Sequence, residues 1–219
     1  MQHQRLEIVR QGMVSTARTI VDELELGETS PSLERMWAEA GLKEARIVCN
    51  PAPADIDSAI VRRIHSAFAA AGAYAPEGLR QAAFKPETLG TDLKYLNIVD
   101  PVPDGDFRFA IYGDGVAANS TAKLQSSHMS DLAMRPQSGP GPAFFLASYM
   151  LVLRRNCAVY TRNDTLPWIP VARWERLMVP LWGTDGEARI LSAVVGVGER
   201  IPGPAPIGWS PPPSRNSSF

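Results

Sequence analysis

Cysteine, histidine and long apolar runs are what this chain has least of. It holds two cysteines and three histidines in 219 residues. Cys49 and Cys157 stand far apart in sequence and show none of the Cys-x-x-Cys or Cys/His spacings that bind zinc or form a redox motif. That usage fits a reducing cytoplasm better than a disulfide scaffold. His3, His65 and His128 share no ligand spacing, so no metal site is expected. No window reaches the roughly 18 uncharged apolar residues of a membrane span. The stretch from Met1 to Arg10 is interrupted by charge and lacks the apolar run of a secretory signal. Twenty-two lysines and arginines face 23 aspartates and glutamates, for a net charge of −1 and a pI near 6.3. So even a balance carries no electrostatic footprint for nucleic acid. The expectation is a cytoplasmic protein without membrane, nucleic-acid, metal or cofactor partners.

What is present is enough apolar material, 45% of residues, for one sizeable core. Its densest stretch begins at Gly141-Pro142, with proline where a missing N–H is harmless. It continues from Ala143 to Leu153 and ends in Arg154, Arg155 and Asn156, two cations and a left-handed stop suited to a helix C-terminus. A helix apolar this far round must be wedged between layers. Ahead of it, Leu6, Val9, Met13, Ala17, Ile20 and Leu24 recur at helical steps from Arg5 to about Leu26. That stripe suits either a helix packed on its own domain or a dimerisation and signalling helix. Ser30-Pro31 opens a second helix that ends near Gly41. Arg46 to Cys49 reads as a short strand. A further helix runs from about Asp55 to Ala71, with Ile56, Ile60, Ile64, Ala67 and Phe68 inward and His65 on its exposed side.

Leu93 to Val99 and Phe107 to Tyr112 read as a hairpin joined through Pro101 to Asp106. After the long helix come strands at Cys157 to Arg162, Trp174 to Trp182 and Ala188 to Val197, the last two linked by Gly183-Thr184-Asp185-Gly186. Leu177, Val179 and Leu181 alternate with Arg176 and Met178, the pattern of a half-exposed antiparallel strand. Strands in runs on either side of a helical middle argue an α+β fold with one antiparallel sheet. The chain divides into a helical N-terminal extension (1–53), a main domain (54–200) and a Pro-rich tail (201–219) expected to be disordered.

Motifs that would announce chemistry are sparse. Gly113-Asp114-Gly115-Val116-Ala117-Ala118 matches G-x-G-x-x-A, with Asp131 at a tolerable distance for a ribose acid. Against a dinucleotide site stand Asp114, where pyrophosphate would sit, and Arg108 in what should be an apolar parallel strand. There is no G-x-S-x-G elbow. The serines, aspartates and histidine from Ser126 to Asp131 read as turn formers and caps.

The element order from Leu93 onward resembles a PAS domain, and the details resemble its stand-alone bacterial subfamily. The resemblance rests on Leu96-Asn97-Ile98-Val99-Asp100, on Phe107-Arg108-Phe109-Ala110-Ile111-Tyr112-Gly113, and on Arg176-Leu177-Met178-Val179-Pro180-Leu181-Trp182-Gly183-Thr184-Asp185-Gly186. It spans about Ala54 to Val197. The tryptophan usual in the preceding helix is absent, with Phe68 in a comparable place. The resemblance implies a five-stranded antiparallel sheet with helices on one face and a pocket between the long helix and the sheet. Pocket residues would be Phe109, Ile111, Val116, Met129, Leu132, Phe145 and Tyr149. The long helix lacks the histidine usual in haem-binding members, and the Asn-Cys-Arg-Phe-Leu motif of photoreactive flavin members is missing, so no cofactor is implied. The expected role is a non-enzymatic sensory or regulatory module in a bacterial pathway. It would take a small ligand or a regulatory partner protein, form a homodimer, and signal through its N-terminal helix. The alternatives are a cofactor- or dinucleotide-binding enzyme on an α+β fold, or a pure dimerisation scaffold.

Overall fold

The computed structural model describes residues 2–27, 29–120, 124–133, 139–201 and 203. In chain order the helices are α1 (Gln2–Leu26), α2 (Pro31–Glu39), α3 (Ala59–Ala70), α4 (Asp114–Asn119), α5 (Ser130–Ala133) and α6 (Gly141–Arg155). The strands are β1 (Ala45–Cys49), β2 (Leu79–Arg80), β3 (Leu96–Val102), β4 (Asp106–Ile111), β5 (Val159–Asp164), β6 (Val171–Trp182) and β7 (Ala188–Glu199). The proline-rich tail lies outside the described residues, Ile201 and Gly203 excepted.

The fold is α+β, built on one sheet of order β1-β5-β6-β7-β3-β4 with every neighbouring pair antiparallel. The expected five strands become seven. β1 covers the free edge of β5 from Ala45 opposite Asn163 to Cys49 opposite Val159, and β2 pairs in parallel with the end of β6. Covering an edge removes a row of unpaired backbone groups.

A second correction concerns the faces. Helices were expected on one side only, yet both sides are covered, because β6 and β7 are apolar on both. Leu177, Val179, Leu181, Leu191, Ala193 and Val195 meet Val61, Ile64 and Phe68 of α3. Met178, Ile190, Val99 and Val159 meet α6 and α1. β6 is therefore not half-exposed, being buried from Trp174 to Leu181. His65, expected in solvent, is buried as well: its ring stacks on Tyr74 at 4.6 Å and its Nε2 lies 3.1 Å from the Pro51 carbonyl. The chain folds back over α3 after Gly72, whose φ of +82° only glycine adopts freely, and this return covers the imidazole.

Residues expected as a separate extension share the core with the rest. Met13, Val14, Ala17, Ile20, Val21 and Leu24 bury the α1 stripe in the cluster that contains α6, and Trp37 of α2 packs on Phe144 with ring centroids 5.0 Å apart. The seam offered for dimerisation is thus spent inside the monomer. Three contacts clamp the end of α6 to α1: Arg154 donates to Asp22 at 2.6 Å and to Glu25 at 3.3 Å, and Arg155 donates to the Leu24 carbonyl at 2.7 Å. Among the described residues no helix is long and apolar enough to cross a membrane.

Candidate functional site

Side chains directly opposite one another in an antiparallel pair share a face, so the α6 side of the sheet can be read in rows. One row runs Val159, Met178, Ser192, Asn97; the next Thr161, Arg176, Val194; the third Asn163, Trp174, Gly196. Polar groups thus gather beneath the N-terminal half of α6. Phe145 of α6 lies over the Arg176 guanidinium at 3.7 Å from ring centroid to Cζ, and Trp174 flanks it at 5.9 Å. Tyr149 and Tyr112 are near enough to act electrostatically on the same cation. Val116 of α4 closes this end against Trp174, Val194 and Val171. Asn97 accepts from the Gly113 N–H at 2.9 Å and so pins the start of α4 to β3.

Arg176 is the unusual member. It is 5% exposed, and burial lowers its pKa to about 10, still leaving a cation at neutral pH. No carboxylate acts on it among the described residues. Its Nη1 donates to Asn163 Oδ1 at 2.7 Å. A desolvated cation–π contact contributes about 2 kcal/mol, and a charged hydrogen bond about 1.5–3 kcal/mol. Burying an ion costs several kcal/mol even after relaxation, about what these two contacts return, and Asn163 is the one hydrogen-bond acceptor it has among the described residues. Two fully buried hydroxyls sit beside it. Thr161 Oγ1 has no hydrogen-bond partner among the described residues, and Ser192 Oγ approaches the Tyr149 hydroxyl without a well-aligned bond. Burial holds the Tyr149 phenol neutral, its pKa pushed up to about 12 against the lowering pull of Arg176.

The residues expected to line a pocket divide. Phe145, Tyr149 and Val116 surround the polar patch. Phe109 reaches it through Tyr112, edge to face at 5.3 Å. Met129 and Leu132 pack into the core shared with α1 instead. Ile111 is corrected outright: it is half exposed and turned outward. The β3–β4 register slips between Ile98 and Val99, placing Ile98 opposite Ile111 but Val99 opposite Phe109. The extra residue breaks the alternation that should have kept Phe109 and Ile111 on one face. Sequence reasoning missed Arg176, Thr161, Asn163, Ser192 and Trp174. Arginine on an alternating strand reads as solvent-facing, and nothing local says otherwise.

Three other clusters bear on chemistry. Cys49 and Cys157, far apart in sequence and without a metal or redox spacing, are brought together as free thiols where β1 ends and the α6–β5 turn begins. Hydrogen bonding from Cys157, helped by Arg155 with Nη1 3.6 Å from its sulfur, lowers the Cys49 thiol to about 6 despite burial; the Cys157 thiol is pushed up by its neighbour and by burial. Asp106, fully buried, accepts directly from Ser130 Oγ at 2.6 Å, with His128 Nδ1 at 3.5 Å and Arg10 Nε at 3.6 Å. The serine O–H points straight at the carboxylate with no imidazole between, so the group braces β4 against α5 rather than reproducing a nucleophile–histidine–acid relay. Gly113 stands where a Cβ would collide with the Lys94 carbonyl, and β4 is an antiparallel edge strand. The glycine motif from Gly113 to Ala118 therefore serves close packing and lacks the parallel setting of a dinucleotide fold. No protein-family model, no curated protein and no solved structure matches this chain.

Proposed function

We propose that this chain is a PAS-type sensory module that takes a small ligand between α6 and the sheet and passes its occupancy to a partner protein through α1. The observation that carries the reading is the strand order β5-β6-β7-β3-β4 with α6 laid over a buried, partly unpaired polar patch. In this order β3, the first strand of the resemblance, lies inside the sheet between β7 and β4, and β1 and β2 are additions to the five strands the resemblance implies. Ligand contacts would fall on Phe145, Tyr149, Val116, Tyr112 and Trp174. α6 bears both the ligand face and the contacts to α1, so a shift in its packing changes the α1 surface. Coupling of this kind needs only a differential affinity for two arrangements of α6. A homodimer, if formed, uses the outward side of α1, since the inward stripe is occupied by α6.

The test is native mass spectrometry of the purified full chain, followed by hydrogen exchange before and after removal of whatever small molecule is released. A bound molecule with α1 protection that depends on it supports the module. A bound molecule with no change in α1 removes the signalling route. Turnover of the released molecule by the protein would replace this reading with an enzymatic one.

A further inference from the structure

We propose that the patch beneath α6 is a carboxylate site: Arg176 takes the anionic head of a small monocarboxylate, the Thr161 and Ser192 hydroxyls complete its hydrogen bonds, and Phe145, Trp174 and Val194 receive its apolar body. The inference rests on the proposed ligand pocket and names the chemistry of its occupant.

Four features on the page converge on that chemistry. Arg176 is a buried cation with no carboxylate acting on it among the described residues. The Arg176 Cζ lies over the Phe145 ring, 3.7 Å from its centroid, so the ring meets the cation through its π face and takes none of its N–H groups as a conventional acceptor; Asn163 takes one of them. A carboxylate is the planar acceptor that fits the N–H edge of a guanidinium in a forked arrangement. Thr161 and Ser192 supply two buried O–H donors that lack well-formed bonds. Thr161 faces Arg176 directly across β5–β6, and Ser192 lies one row along on β7, so both flank the position an anion on Arg176 would hold.

The charge count selects the class within anions. Among the described residues Arg176 is the one cation acting on Tyr149, and no second cation acts on Arg176. One positive charge balances a monocarboxylate, whereas a phosphate dianion would leave a negative charge buried and unpaired. The walls are aromatic and aliphatic, which favours an aryl or branched alkyl body over a sugar.

The experiment uses full-length protein, cleared of any co-purifying molecule, and fluorine NMR of three probes: 4-fluorobenzoate, neutral 4-fluorobenzamide and inorganic phosphate as competitor. Saturable binding of the benzoate, no binding of the amide, and no displacement by phosphate are expected. The Arg176 side-chain Nε–H resonance should shift on adding benzoate. R176M should weaken binding about tenfold or more, and T161V, which keeps shape and removes one donor, about threefold. T161V keeps the test decisive if R176M does not fold. Equal binding of acid and amide overturns the carboxylate assignment while leaving a ligand pocket in place. Displacement by phosphate that depends on Arg176 likewise overturns the restriction to monocarboxylates. A protein that binds no probe and releases no small molecule overturns the ligand pocket itself.

Discussion

Glu175 and Arg176 are neighbours on β6, both buried, and they meet opposite fates. Glu175 points to the α3 side. Its Oε2 accepts from the Tyr160 hydroxyl at 2.9 Å and from the Ser58 N–H at 2.8 Å, where α3 begins, and Arg173 Nε lies 3.8 Å from the other oxygen. The carboxylate ties a helix N-terminus, the end that favours negative charge, to the middle of the sheet. Arg176 points to the α6 side, where its partners are one amide oxygen and aromatic faces. One charge is held by donors that the fold itself supplies to one of its oxygens, the other oxygen lying beside Arg173 without a hydrogen bond. The other charge is held loosely enough that an outside anion can complete it. The difference shows how a single strand can carry a structural charge on one face and a receptive one on the other.

If Glu175 is structural, Glu175→Leu should be the most damaging change in this comparison, costing about 4 kcal/mol in urea unfolding, because the Tyr160 hydroxyl and the Ser58 N–H lose their acceptor in a dry setting. A loss under about 1 kcal/mol would erase the distinction between the two faces. The α6 side holds a second perturbed group in the Cys49 thiol. Its folded pKa near 6 predicts alkylation by iodoacetamide that stays fast above pH 6 and falls as pH drops through that value, since the thiolate is the reactive form. Cys157→Ala should return the midpoint towards about 8.5 and slow the reaction at pH 7 roughly tenfold. An unchanged profile would mean that Cys157 does not hold the thiolate.

Ser58→Ala removes the hydroxyl that accepts from Val61 N at 3.4 Å while leaving the Glu175 contact in place; a cost of about 1 kcal/mol in the same urea titration is expected. The smallest effect belongs to Arg176→Met in the ligand-free protein. Replacing a buried cation whose contacts roughly offset its desolvation by an apolar side chain of similar length should leave stability within about 1 kcal/mol of the parent, or raise it. A loss comparable to that of Glu175→Leu would make Arg176 a structural residue and end the contrast.

Much of the element layout could be read locally. Pro31, Gly141-Pro142 and Asn156 mark the ends of α2 and α6, and the structure places a left-handed φ of +46° at Asn156. Alternation marked β6 and β7 to within a few residues of their bounds. What escaped were features that depend on something elsewhere in the chain. β2 is two residues long and defined by the strand it joins, and the Arg46 to Cys49 strand, though legible, carried no mark of the edge it would cover. The outward turn of Ile111 comes from a slip against β3, and the burial of His65 from the return of the chain over α3. Of the candidate site, Phe145, Tyr149 and Val116 were legible as large apolar residues near the long helix. Arg176, Thr161 and Ser192 were not, because a polar residue on a strand has no local mark of being covered.

By itself the sequence determined most of the helices and strands, because caps, turn residues and apolar period act across a few positions of backbone. It also determined that the long helix must be buried, since Phe144, Leu146, Met150 and Leu151 leave it no polar side to show. Only the tertiary structure decided which strand faces are dry, that two distant cysteines meet, and that an arginine stands under an aromatic lid. These are matters of desolvation, and desolvation depends on which residues, far away along the chain, come to lie on top.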